Sequence, residues 1–193
     1  MSAVMNADMS AETSAEGNFT GRAWVFGDDI NTDLLAPGAY MKFGIDEIAR
    51  HCMEAVDPSF AANVRPGDIV FGGRNFGAGS SREQAVEVLR HLGVVAVVAP
   101  SFAGLFYRNG FNLGLPLLTC TAPAAITIAS AVANGQRAGC DIDAAQVFVE
   151  GAATIQCEPI PPHLVAMIRD GGLVPHLARK IAAGQLTVNE EVQ

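Results

Sequence analysis

The sequence predicts an α/β fold, and three observations carry that expectation. Short β-rich runs alternate with amphipathic helical stretches in the order strand, loop, helix, strand, helix, strand. Residues 94–99 (VVAVVA) form an uninterrupted apolar run, as expected of a strand covered on both faces. A glycine-rich loop leads from one short strand straight into a helix.

Taken in order, residues 22–27 read as a first strand ending in the polar turn Asp28-Asp29-Ile30-Asn31-Thr32-Asp33. A Gly/Pro segment over 36–44 follows, turned by Pro37-Gly38. Ile45, Ile48, Ala49, Cys52, Met53 and Val56 then fall on one stripe and predict a helix reaching Val56, stopped by Asp57-Pro58. A turn at Pro66-Gly67 precedes a strand over 68–71, the loop over 72–83, and a helix marked by Ala85, Val88, Leu89 and Leu92 with Gly93 as its stop. After the strand at 94–99, Phe102, Leu105 and Phe106 mark a short helix that Asn109-Gly110 should end. Residues 116–120 read as a strand, 122–134 as an alanine-rich helix, 146–149 and 154–157 as a hairpin, and 161–170 and 173–183 as two terminal helices.

With 193 residues, the chain suits one domain at 20–193 behind a cation-free acidic tail at 1–19 that is expected to be disordered. Half the residues are hydrophobic and 17% are charged, so the rest should bury a full core. Acidic residues outnumber Lys plus Arg by 20 to 12, a formal charge of -8 that disfavours nucleic acid as a partner. No apolar run approaches the ~20 residues of a membrane helix, and residues 1–19 lack the cations of a secretory or transit signal, so a cytoplasmic protein without membrane contact is expected. Cys52, Cys120, Cys140 and Cys157 are scattered and read as core thiols in a reducing compartment, not as a metal or cluster site.

Chemistry concentrates in the loop Gly72-Gly73-Arg74-Asn75-Phe76-Gly77-Ala78-Gly79-Ser80-Ser81-Arg82-Glu83. Its glycines let backbone N–H groups approach a ligand, and it ends at a helix N-terminus, which favours anions. Ser80, Ser81 and Arg82 add two hydroxyls and a guanidinium fork suited to a carboxylate. Walker A, nucleophile-elbow and dinucleotide patterns do not fit. The structural alternative makes Ser80 a helix N-cap with Glu83 completing a capping box. Asp28, Asp29 and Asp33 could orient a ligand or simply bond turn backbone. His51, His91, His163 and His176 read as structural or solvated, and Arg108-Asn109 as a helix C-cap or a partner contact.

The segments Gly27 to Asp33, Asn75 to Glu83, Ala99-Pro100-Ser101-Phe102-Ala103 and Phe106-Tyr107-Arg108-Asn109, with Pro159-Ile160-Pro161-Pro162 and Asp170-Gly171-Gly172-Leu173, occur in the order of one family. The chain resembles the small subunit of 3-isopropylmalate dehydratase, the swivel domain of aconitases, from about Gly21 to Lys180. The resemblance implies a swivelling β/β/α domain of the aconitase small-subunit type. It further implies a hydro-lyase of leucine biosynthesis acting on a small hydroxy-dicarboxylate only with a large subunit, which carries a [4Fe–4S] cluster; this chain binds none. It makes Ser80 the base, Asp33 an active-site aspartate, and Ser81 and Arg82 carboxylate holders.

By the same resemblance, residues 37–44 select the substrate's variable group. Tyr40, Met41 and Phe43 favour an alkyl group, as in isopropylmalate or another alkylmalate or dimethylmalate, while Lys42 leaves a homoaconitate-type tricarboxylate open. Ala78 and Gln84 replace the Cys or Glu and the His common among relatives. They leave one competing expectation, a non-catalytic anion-binding or interaction module.

Overall fold

The computed structural model describes residues 18–80, 82–152 and 154–186. In chain order the elements are β1 (Asn18–Val25), α1 (Thr32–Leu35), a 3-10 turn (Gly38–Tyr40), α2 (Ile45–Arg50), α3 (Phe60–Asn63), β2 (Ile69–Phe71) and α4 (Gln84–His91). They continue with β3 (Ala96–Ala99), α5 (Gly104–Asn112), β4 (Leu117–Thr119), α6 (Ala122–Ala131), β5 (Arg137–Asp141), β6 (Gln146–Val149), β7 (Ile155–Gln156), α7 (Pro162–Arg169) and α8 (Leu173–Ala182).

One seven-stranded sheet runs β4-β3-β2-β1-β5-β6-β7. The first four strands are parallel, with Val25 beside Phe71, Phe71 beside Val98 and Val98 beside Leu118. From β1 onward the pairing is antiparallel through β5, β6 and β7. β2 and β3 are buried throughout, as their unbroken apolar runs predict, whereas β6 alternates and leaves Phe148 exposed on its outer face. The sheet curls until its edges meet: Cys120 pairs with Cys157, and the Glu158 N–H donates to the Thr119 carbonyl at 2.8 Å. All four cysteines are buried in the core, as the reading of them as core thiols expects. Burial pushes the Cys120 thiol up to about 11 and the Cys157 thiol up to about 12.

Several boundaries differ from the sequence expectation, each for a visible reason. β1 begins at Asn18, inside the expected tail, because Asn18 to Arg22 pair with β5. α2 stops at Arg50 instead of reaching Val56: Met53 turns left-handed (φ 63), and its N–H donates to the Leu34 carbonyl at 2.7 Å. The stripe still buries Ile48, Ala49, Cys52 and Met53, but Val56 is exposed. α5 runs through Asn109-Gly110 to Asn112, so the C-cap reading of Asn109 is replaced by a buried mid-helix position. Gly110 is there because the helix lies against β4; a Cβ would sit 2.5 Å from Leu117 Cδ1. β5 and the short α3 were not anticipated. Phe60 anchors α3 edge-on to Trp24 and Phe26, at centroid distances of 5.1 and 5.4 Å.

Asp68, which precedes β2, is 2% exposed and ties this part of the domain together. It accepts hydrogen bonds from the backbone N–H groups of Arg22 and Arg65, from Trp24 Nε1 and from the Arg22 guanidinium.

Candidate active site

The exits of β1, β2 and β3 all lie at the carboxyl end of the parallel strands, where α/β sheets place ligand sites. There the glycine-rich loop is bonded on both sides. On one side the Gly73 N–H donates to the Gly27 carbonyl (2.9 Å), Gly77 to Ile30 (2.7 Å), and the Thr32 N–H to the Ala78 carbonyl (2.8 Å). On the other, the Phe76 N–H donates to the Ser101 carbonyl (3.0 Å) and the Asn75 N–H to Ser101 Oγ (2.8 Å). Phe76 is fully buried, edge-on to Phe102 and Phe106. Gly77 stands at φ 78 with Phe106 so close that a Cβ would meet its ring at 2.1 Å.

Asp28 and Asp29 serve this loop. Asp28 accepts from the Arg74 N–H at 2.7 Å and pairs with its guanidinium at 2.7 Å, bonds that hold its carboxyl below the usual carboxylate value. Asp29 accepts from Asn75 Nδ2 at 2.9 Å. Neither bonds mainly its own turn, because the loop supplies better partners.

Asn31 caps α1, accepting from the Asp33 and Leu34 N–H groups at 3.0 and 2.9 Å, and this short helix presents two side chains to the loop. Thr32, 1% exposed, places its Oγ1 3.3 Å from the Oγ of Ser80, which is itself exposed. Asp33 pairs with the Arg82 guanidinium, which also donates to the Ala36 carbonyl at 3.2 Å. Gly38 follows close by: a Cβ there would lie 3.8 Å from both terminal guanidinium nitrogens and from Asp33 Oδ1. Ser80, Asp33 and Arg82 are therefore brought together around α1, with Thr32 as a participant that residue type alone did not single out. Ser81 lies outside the described residues.

The capping-box alternative is not realised. α4 begins at Gln84 behind Glu83, which makes no side-chain cap bond, and the Arg82 N–H closes a tight turn onto the Ser80 carbonyl at 2.7 Å. Gly93 follows the α4 C-cap as expected. Ala78 contributes its backbone carbonyl, to Thr32, so its side chain is not what bonds α1 to the loop.

The 38–43 segment separates the four residues assigned to the substrate's variable group. Tyr40 and Met41 are partly buried against the core, whereas Lys42 and Phe43 are exposed, with Lys42 Nζ 5.1 Å from the Phe43 ring centroid. Tyr40 stacks on His51, a partner that no spacing rule revealed. Elsewhere His91 pairs with Asp46 at 3.0 Å and His176 with Asp170 at 2.6 Å, structural roles as read. Among the described residues, no three His, Cys, Asp or Glu side chains are grouped to hold a metal ion, and no helix is long and apolar enough to cross a membrane.

The geometry is a cluster of serine, threonine, aspartate and arginine side chains around a glycine loop, and comparison with known proteins gives it a lineage. The aconitase C-terminal domain family model matches residues 38–123. The chain is 45% identical over 164 residues to the 3-isopropylmalate dehydratase small subunit of Syntrophus aciditrophicus, covering 84% of this chain and 97% of that protein. It is 42% identical over 171 residues to the methanogen homoaconitase small subunit of Methanothermobacter thermautotrophicus, covering 88% and 96%. The crystal structure of 3-isopropylmalate dehydratase from Methanocaldococcus jannaschii matches with a TM-score of 0.78 and 35% identity, over 87% of this chain and 98% of that one. With this curled sheet and this ordered set of loops, the chain belongs to the 3-isopropylmalate dehydratase small-subunit family, the swivel domain of the aconitases.

Proposed function

We propose that this chain is the small subunit of a cytoplasmic hydro-lyase that interconverts 2- and 3-isopropylmalate by dehydration and rehydration, working with a large subunit. The observation that carries the reading is the convergence of Ser80 on Thr32 and of Arg82 on Asp33, from loops far apart in sequence. Isomerisation begins with loss of a proton from a carbon beside a carboxylate, a very weak acid. Its base must act in a surround that stabilises developing negative charge. Ser80 takes that proton at Oγ, oriented by the Thr32 hydroxyl. Arg82 holds the neighbouring carboxylate, its fork aimed by Asp33 and by the Ala36 carbonyl. Ser81 is assigned to the same carboxylate.

Departure of hydroxide needs a Lewis acid, which this reading assigns to an iron–sulfur cluster on the large subunit. The side chains of this chain do not fit that group: among the described residues no three His, Cys, Asp or Glu converge as such a cluster requires. The small subunit alone is therefore expected to show no turnover.

Phe43 and Met41 give the 38–43 segment an apolar character suited to an isopropyl group. A second reading has its own support: Lys42 is exposed in that segment, and one 42%-identical relative is a homoaconitase small subunit, so a tricarboxylate is the alternative guest. Reconstitution with the large subunit and a panel of 2-isopropylmalate, shorter alkylmalates, dimethylmalate and homocitrate-type acids separates the two. The expected kcat/KM is highest for isopropylmalate, about 10-fold or more above the analogue lacking one methyl. Preference for a tricarboxylate overturns the alkyl reading.

A further inference from the structure

The 38–43 segment is pinned at its far end by a side chain that the chemistry above does not use. The Tyr40 ring lies flat on the His51 imidazole, with centroids 3.5 Å apart and planes 6° apart. The imidazole is itself held at both nitrogens. Nδ1 lies 2.6 Å from Glu54 Oε2, and Nε2 lies 3.4 Å from Glu47 Oε1. Glu47 is paired in turn with Arg50 at 2.6 Å. Carboxylates at both ring edges prevent rotation of the plate, and the bond to Glu54 above all holds its proton, which raises its pKa. His51 follows directly on α2, whose Ile48 and Ala49 are buried, so the plate is rooted in the core while its free face carries a loop residue.

From Tyr40 the chain runs back two residues to Gly38, beside the Arg82–Asp33 pair, and forward to the exposed Lys42 and Phe43. The Phe43 N–H donates to the Tyr40 carbonyl at 2.9 Å, so a shift of Tyr40 is passed to Phe43 through backbone. We propose that His51, clamped by Glu47 and Glu54 and stacked on Tyr40, is a positioning residue that sets where residues 41–43 meet the substrate's variable group. The inference rests on the reading of the 38–43 segment as the substrate-selecting one. His51 touches no reacting atom; it acts through Tyr40.

The test uses the reconstituted two-subunit enzyme. His51→Ala is expected to raise KM for 2-isopropylmalate about tenfold, the order set by one aromatic stack, with kcat changed less than about threefold. His51→Phe keeps the flat ring and should return KM to within about threefold of the parent, whereas His51→Gln keeps hydrogen bonding without a ring and should not. Because His51 acts only through Tyr40, adding His51→Ala to a Tyr40→Ala enzyme should move KM little beyond the Tyr40→Ala change alone. An active enzyme whose KM is unmoved by His51→Ala, or in which the two substitutions simply add, overturns the inference and leaves the functional reading standing. A parent enzyme that turns over none of the panel overturns the functional reading, and the inference falls with it. Rescue by Phe but not by Gln is the outcome that a merely structural histidine does not give.

Discussion

Replacing Ser80 with alanine is expected to lower kcat of the reconstituted enzyme by about 10²–10⁴-fold, the range for loss of a positioned acid–base group. KM should move far less, because Arg82, the proposed carboxylate holder, keeps its pairing with Asp33. A serine hydroxyl is a poor base by itself, so the size of the loss measures how far the assembled site has activated it. Within this chain the hydroxyl is partnered by Thr32 Oγ1 at 3.3 Å, and the Arg82 charge is paired with Asp33, so most of the activation is assigned to the assembled two-subunit site. Ser80 is exposed, so its removal should leave thermal stability within about 0.5 kcal/mol of the parent. A folded, assembled Ser80→Ala enzyme with undiminished turnover would refute the assigned role.

The second large effect concerns stability. Asp68→Ala is expected to cost about 3–5 kcal/mol, read as a fall in Tm of about 10 °C. Its carboxylate accepts from two backbone N–H groups, the Trp24 indole and the Arg22 guanidinium, and alanine would strand those donors at a nearly solvent-free position. Arg22 is 42% exposed and can turn to water, so the loss comes mainly from the backbone and indole donors. Asp68→Asn, which keeps one acceptor oxygen, should lose less.

Acid provides a second readout. Burial alone would raise the Asp68 pKa, but the bonds from Trp24, Arg22 and Arg65 outweigh it and hold the carboxyl below its usual value. The associated stability is complete above the unfolded carboxyl value of about 3.9 and is lost as pH falls through the lower folded value. Unfolding followed by circular dichroism between neutral pH and pH 3 should therefore show a steeper acid decline in the parent than in Asp68→Asn. Equal slopes would remove Asp68 as the source.

The parallel half of the sheet was readable because β2 and β3 carry unbroken apolar runs and α4 shows a single apolar stripe closed by Gly93. What failed to show in the sequence is what distant partners decide. Nothing in Arg137-Ala-Gly-Cys-Asp favours a strand; β5 exists because β1 and β6 flank it. The Met53 turn is made by a carbonyl on Leu34, and the length of α5 by contact with Leu117. The site divides the same way. The Ser80-Ser81-Arg82 cluster could be picked out by residue type and loop context. Its bonds to Thr32 and Asp33 span 48 and 49 positions, and no local pattern encodes them. The family resemblance supplied Asp33 where spacing could not, and neither route identified the His51 plate.

The glycine loop is hydrogen-bonded to the β1 exit on one flank and to the β3 exit on the other, with Phe76 wedged beneath it. Residues 73–78, stitched on both flanks, are tied to the sheet and cannot fold down like a flap on their own. If Ser80 and Arg82 are to be carried onto a substrate and withdrawn, the whole body must travel as one piece. Access and release are then governed by the contact between subunits, and a tether locking the two subunits together would slow exchange of substrate while leaving the bonding around Ser80 undisturbed.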